Sequence, residues 1–275
     1  LFVDASRDGV ASHGLNRFPR FVRTIRNGVV DPRATPSRVA RFSALERWDG
    51  RGGPGNLNAH RMMERALELA ENHGIGAVAL RNTNHWMRGG NYGWQAAESG
   101  KIGLCWTNTC PNLPPWGAQN PRIGNNPLVV AVPREEGHVV LDMATSQFSY
   151  GTLEAKRRAG EPLPVQGGFD EEGRLTTDPG AIEESGRPLP AGFWKGSGLS
   201  IVLDLIGAIL SGGKPTHEIP ADPLRETGLS QMFIACDPRR VDAGGSYNST
   251  AEAVIDHLHR SKTADGFEEV RYPGE

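Results

Sequence analysis

The sequence predicts a mixed α/β fold, and two helix–strand successions carry that prediction. Asn56 to His73 has Ala59, Met62, Met63, Ala66, Leu67 and Ala70 at helical spacing, and the apolar run Gly76-Ala77-Val78-Ala79-Leu80 follows it. Leu199 to Leu210 is a strongly apolar helix, followed by a second buried strand, Ser230 to Cys236. Gly74 and Gly212-Gly213 stand where helix ends favour a left-handed residue. With 275 residues, 37% hydrophobic and 23% charged, the chain is long and apolar enough to bury a substantial core.

The other elements follow from local pattern. Leu1 to Asp8 reads as the last turns of a helix stopped by Gly9. Phe18, Phe21, Val22 and Ile25 make an apolar helical face, with Pro19 in the first turn and Gly28 at the end. Arg38 to Trp48 reads as a strand or hairpin, and Gly50 to Gly55 as a glycine-rich link. After the strand at Gly76 comes a polar and aromatic loop, Arg81 to Gly90; polar residues clustered after a strand often face a site. Tyr92 to Ser99 is a short helix and Ile102 to Thr107 a strand. Pro111 to Pro127 is too apolar for a linker and reads as an ordered loop. Leu128 to Val132 and His138 to Met143 form two strands, and Gly151 to Gly160 a charged helix. Glu161 to Pro190 reads as irregular, with turn pairs such as Asp178-Pro179, and Ala251 to Arg260 as a final helix.

Several function classes are disfavoured. A net charge of −2 with scattered Lys and Arg argues against nucleic acid as a partner. No apolar run reaches the roughly 18 residues of a membrane span, so no membrane is expected. Cys105, Cys110 and Cys236 make no disulfide framework and read as reduced thiols of a cytoplasmic protein. The histidines form no metal-ligand pattern: His257 and His259 are two apart on a helix and face different ways. There is no G-x-G-x-x-G after a strand, no Walker lysine and no G-x-S-x-G elbow.

Ser12-His13-Gly14-Leu15-Asn16-Arg17-Phe18-Pro19-Arg20 is the stretch most suited to chemistry. A histidine exchanges protons near neutral pH, and an arginine holds a carboxylate by two parallel hydrogen bonds. Adjacent Ser12 and His13 are poorly spaced for a nucleophile–base pair. His85, after four polar residues, is a second candidate. Asp142, at the end of Val139-Val140-Leu141, reads either as a helix cap or as a site residue. Lys195-Gly196-Ser197-Gly198 at a helix start is either a phosphate cradle or a turn feeding a core helix.

Six motifs in order resemble the non-Rossmann malate/L-lactate dehydrogenase family of NAD(P)H-dependent 2-keto-acid reductases. They are Ser12-His13-Gly14 with Arg17, Asn82-Thr83-Asn84-His85, Pro115-Trp116-Gly117, Gly124-Asn125-Asn126-Pro127, Leu141 to Ser146, and Lys195 to Leu199. Within the family, His85 to Gly90, Phe148 to Gly151, Gly167 to Asp170 and Phe193 to Gly198 are similar to the branch that reduces a diketo sugar acid.

That resemblance implies a mostly antiparallel central sheet flanked by helices, with a second, smaller helical domain. Residues 1–47 with 237–275 would form a substrate and dimerisation region, and 48–236 the nicotinamide-binding region. It implies a homodimer with sites near the subunit interface and a small-molecule keto acid as substrate. The cofactor would be NAD, as NADH by preference, with NADPH possible. His13 matches the proton donor and Arg17 the substrate-carboxylate position; from the residues themselves, Ser12 and His85 are candidates to stand beside the substrate and Asp142 to orient a polar partner. His138, Val139, Val140, Leu141, Asp142, Met143 and Ala144, the pair Trp194-Lys195, and Gly274-Glu275 match cofactor-contacting stretches; no metal is implied. The family pattern would place a helical segment before Leu1 and more chain after Glu275. The rival readings are the same fold acting on malate, lactate, ureidoglycolate or a cyclic imino acid, and a truncated cofactor-binding protein without activity.

Overall fold

The computed structural model describes residues 1–275 except Ala243. Helix α1 (Phe2–Arg7) and two short 3-10 turns (Ala11–His13, Leu15–Arg17) lead into α2 (Phe18–Arg26). Strands β1 (Ser37–Phe42) and β2 (Leu45–Asp49) precede α3 (Gly55–His73), β3 (Ile75–Thr83), α4 (Gly90–Glu98) and β4 (Ile102–Thr107). Next come β5 (Leu128–Val132), β6 (Val139–Met143), α5 (Tyr150–Ala159), β7 (Gly168–Phe169), β8 (Leu175–Thr176) and α6 (Pro179–Ser185). Helix α7 (Trp194–Ser211), β9 (Leu229–Cys236) and α8 (Ser246–His259) complete the order.

Seven strands form one sheet in the order β1-β2-β3-β9-β4-β5-β6. Only β2 and β3 pair in parallel; every other ladder is antiparallel. The long helix α3 makes the parallel pairing reachable by carrying the chain from the end of β2 back to the start of β3. Its Ala59, Met62, Met63, Ala66 and Ala70 are buried with α4 residues Tyr92 and Ala96 against Val78, Leu80, Cys105 and Phe233. Helix α7 covers the opposite face, where Leu203 packs with Ala79, Trp106 and Met232. Trp106 Nε1–H also donates to the Leu203 carbonyl at 3.0 Å. The sheet is therefore mostly antiparallel and flanked by helices, as the family pattern implied. Strand β2 spans residues 47 and 48, so it crosses the expected regional boundary.

Four elements differ from the sequence reading, one of them α8, which begins at Ser246 rather than Ala251. The stretch 161–190 is ordered: β7 pairs with β8, and α6 follows. The Asp178-Pro179 pair is a helix start, with Asp178 Oδ1 accepting from Gly180 N at 2.8 Å. Strand β3 runs on through Thr83, because β9 continues to pair beyond an irregularity between Leu80 and Thr83. Helix α7 begins at Trp194, which makes it 18 residues with a mean hydropathy of 1.3, the length and apolarity of a membrane span. One flank of it, Ser197, Ser200, Leu203, Gly207 and Ser211, is buried on the sheet. The other carries exposed Ile201, Val202, Leu205, Ile206 and Ile209.

Gly76 shows how closely α3 lies on β3. A Cβ there would stand 2.2 Å from the Ala66 carbonyl oxygen and 2.6 Å from Leu69 Cβ. Gly76→Ala is expected to destabilise the fold by about 1–3 kcal/mol in urea unfolding, the usual cost of overpacking. An unchanged midpoint would contradict this packing.

Candidate active site

The segment that carries His13 is held by α1. Gly9, at φ +78°, ends that helix, and Ser6 Oγ accepts the Leu15 N–H at 2.8 Å. A Cβ on Gly14 would fall 2.1 Å from Ser6 Oγ, so glycine is what lets the turn close on the helix. Ser12 Oγ lies 3.0 Å from His13 Nδ1, so these neighbours do hydrogen-bond, against the expectation from their spacing. The 3-10 turn brings the two side chains round to meet.

His13 stacks on His85, with ring centroids 5.7 Å apart and planes 19° from parallel. His85 Nδ1 accepts the Met87 N–H at 3.0 Å, which leaves Nε2 to carry the proton in the neutral ring. Met87 has φ +67°, a costly conformation for a non-glycine residue, and it aims that N–H. Both rings line a cavity of about 210 Å³, with Thr109, Asn125, Asp142 and Ala144 among its other walls. Arg17 does not line this cavity. It lines a neighbouring space of about 30 Å³ with Arg20, Asn84 and Glu226, and His85 borders both.

The electrostatics of the pair are dominated by burial and by arginine. The His13 imidazole is pushed down to about 4, by desolvation first and then by Arg17, Arg20 and Arg88. Burial, Arg17 and His13 likewise hold His85 well below the ordinary histidine range. Arg17 is lowered to about 10, by burial first and then by Arg20. Among the described residues Arg17 has no ion pair and no hydrogen bond from its guanidinium, whereas Arg88 pairs with Asp8 and Arg20 donates to the Pro223 carbonyl at 2.8 Å.

Asp142 does not cap the helix that follows it. Its Oδ2 accepts the Gly90 N–H at 2.7 Å, which caps α4, an earlier helix rather than the one that follows. It also borders the His13 cavity. Cβ atoms on Gly89 and Gly90 would lie 3.2 and 3.0 Å from its carboxylate oxygens, which explains the glycine pair. Burial raises its pKa, against the Gly90 N–H and Arg88.

The stretches expected to contact a cofactor lie along one sheet edge. His138 to Met143 is edge strand β6 with its entry residue. The Pro273 carbonyl accepts the Val140 N–H at 2.9 Å, which brings Gly274 and Glu275 to the strand's start. At its other end the Thr145 carbonyl accepts the Ala191 N–H at 2.8 Å, which brings Trp194 and Lys195 near Ala144. Trp194 and Lys195 are exposed. The Lys195, Gly196 and Ser197 N–H groups bond to Gly192, Ala191 and Phe193 carbonyls, so this helix start is a turn feeding a core helix and not a phosphate cradle. Beside Ala144, Thr145 Oγ1 is buried with no hydrogen-bond partner among the described residues. No group of three His, Cys, Asp or Glu is placed to hold a metal among the described residues.

The pattern of the malate/L-lactate dehydrogenase family matches residues 1–275. The chain belongs to the malate/L-lactate dehydrogenase family. It is 51% identical over 274 residues to the 2,3-diketo-L-gulonate reductase of Escherichia coli O127:H6, which covers 100% of this chain and 82% of that protein. The structure resembles the sulfolactate dehydrogenase of Methanocaldococcus jannaschii, with a TM-score of 0.91 and 32% identity over 100% of this chain and 79% of that one. It also resembles the delta1-piperideine-2-carboxylate reductase of Pseudomonas syringae pv. tomato, with a TM-score of 0.87 and 31% identity over 99% and 81% of the two chains. The protein is therefore an oxidoreductase, of a family whose dehydrogenases use nicotinamide cofactors.

Three charged residues at this site had no role in the sequence reading. Arg20 stands three residues after Arg17, a spacing that sets side chains together on a helix. Arg88 lay inside a motif valued only for resemblance. Glu226 gave no local signal, because its burial depends on Cys110, far away in sequence. Removing a guanidinium favours the imidazolium, so Arg17→Gln should raise the His13 midpoint above about 4. It should stay below 6.5, because burial is the larger cause. Titration of the ring protons by NMR reads this directly, and an unmoved midpoint would mean that Arg17 does not act on His13.

Proposed function

We propose that this oxidoreductase reduces an α-keto acid with NAD(P)H, NADH by preference, and that the acid is 2,3-diketo-L-gulonate, yielding 3-keto-L-gulonate. The observation that carries the reading is Arg17, a partly buried guanidinium without an acid partner, next to the stacked pair His13 and His85. Such a group suits an incoming carboxylate. The 2,3-diketo-L-gulonate reductase relative supports the choice of acid.

His138 to Ala144, Trp194 with Lys195, and Gly274 with Glu275 would hold the dinucleotide along the β6 edge. When bound, the reduced nicotinamide supplies the hydride that the keto carbon accepts. Arg17 fixes the substrate carboxylate from the side cavity, which leaves the keto group in the cavity of His13. Ser12 engages His13 Nδ1, so Nε2 is the atom that hands a proton to the carbonyl oxygen as negative charge builds there. His85, with Nδ1 occupied, offers its Nε2–H to a substrate oxygen and holds the plane of the His13 ring. Asp142 holds the start of α4, and with it Gly89, in the cavity wall.

The low pKa of His13 is consistent with this role. A carboxylate bound at Arg17 offsets the positive charge that helps to keep the ring neutral, so proton and anion enter together. His13→Ala should lower NADH oxidation with 2,3-diketo-L-gulonate by about 10²–10⁴-fold while leaving NADH binding, read by tryptophan quenching, largely intact. Near-normal turnover would sink the assignment. A panel of keto acids with both cofactors tests the substrate and the preference for NADH.

The exposed stripe Ile201, Val202, Leu205, Ile206 and Ile209 on α7 supports a homodimer, since apolar patches of this kind mark contact surfaces. The region 1–47 supplies His13, Arg17 and Arg20 and is taken, with 237–275, as the substrate and dimerisation region. The region 48–236 is taken as the cofactor region, and its α7 extends the contact. The free thiols Cys105, Cys110 and Cys236 support a cytoplasmic setting. Ile209→Glu should give a folded monomer in sedimentation velocity; an unchanged dimer would place the contact elsewhere.

A further inference from the structure

The side cavity shared by Arg17 and Arg20 holds a third charged group that the reaction above does not use. Glu226 is 8% exposed and sits on the segment entering β9. Its Oε1 accepts the Cys110 N–H at 3.0 Å, which fixes the carboxyl in the wall. Among the described residues it makes no ion pair, although both arginines line the same space of about 30 Å³. A purely structural carboxylate would close on one of them. Here two guanidiniums and a carboxyl face one small cavity without touching.

The opposing influences on this carboxyl are legible. Burial is the largest influence and raises its pKa overall; the hydrogen bonds with Cys110 and the charges of Arg20 and Arg17 oppose that rise. An acid buried without an ion pair is costly, and the space that separates it from its cations is large enough for a small polar group.

We propose that Glu226 sets the charge of the acid the enzyme accepts, restricting the side cavity to substrates with one carboxylate. Two guanidiniums and one carboxylate leave a single positive charge, which one substrate carboxylate cancels. A second anionic group finds no remaining cation there and is repelled by Glu226 in a poorly solvated space. The inference rests on the carboxylate role of Arg17 and narrows the class of acid. Structural relatives are named for malate and sulfolactate, acids with two anionic groups.

The test compares kcat/KM of the unaltered protein and Glu226→Gln on 2,3-diketo-L-gulonate, on 2-oxobutanoate and on oxaloacetate, with NADH. Glutamine keeps an oxygen for the Cys110 N–H and changes the charge alone. The variant should gain about tenfold or more for oxaloacetate relative to 2-oxobutanoate. Glu226→Asp should retain the original preference. Equal changes on both acids, or none, overturn the proposal. Calorimetric titration of the unaltered protein with malonate and propionate gives an independent reading: malonate binding more tightly than propionate overturns it, and the reverse supports it. Failure of 2,3-diketo-L-gulonate alone refutes the substrate named above, while the ratio of the other two acids still decides the role of Glu226.

Discussion

Positive charge gathered where water is scarce is the constraint on which this site depends. Arg17, Arg20 and Arg88 all act on His13, and burial adds to them. Moving a histidine from 6.5 to about 4 amounts to roughly 3 kcal/mol in favour of the neutral ring. Burial is the larger part of that bias, so an anion that offset the arginines would reverse only part of it. The resting protein thus keeps a neutral imidazole beside a guanidinium that has no ion pair among the described residues, and in the proposed role an anion on the second favours charging the first.

That balance needs two pieces of chain, the His13 turn and the His85 to Gly90 loop, to be held close. The His13 turn is closed on α1 through Ser6 and Gly14. Arg88 reaches back from the start of α4 to pair with Asp8 after α1, which ties the N-terminal segment to the sheet layer. His85 comes from the loop after β3, oriented by the positive-φ Met87. None of these contacts is large in apolar area. The rigidity comes from the sheet and from α3 beneath them, where close approaches such as Gly76 on Ala66 leave no slack.

Period and end signals made most elements legible. The apolar face and C-terminal glycine of α3, the matching strands β4 and β5, and the α2 face after Pro19 all follow from local pattern. The 161–190 stretch was not legible: its helix is only seven residues long and its strands two each, too short for a periodic signal. Ser12, His13, Arg17 and His85 drew notice because small, polar and ionisable residues cluster around them. Glu226 and Asp142 depend on partners more than 50 positions away, Cys110 for one and Gly90 for the other, and no window along the chain contains both ends. The division of Arg17 and His13 between two adjoining cavities is likewise a tertiary fact, since four positions in sequence say nothing about which wall each side chain joins.

Asp142 links the edge of the sheet to the cavity that His13 lines. It lies on β6, whose ends are met by the chain terminus at Pro273 and by the start of α7. It also caps α4, and α4 begins where the His85 to Gly90 loop ends. Asp142 therefore connects β6 to Gly90 and the adjacent Gly89 and Arg88, and the last two line the cavity of His13. Because burial raises the pKa of Asp142 while the Gly90 N–H lowers it, loss of that hydrogen bond would leave a buried acid uncompensated. The strand, the helix start and the carboxylate are held in register by this one bond. The strand that the proposed function assigns to the cofactor thereby also shapes the wall of the cavity that His13 lines.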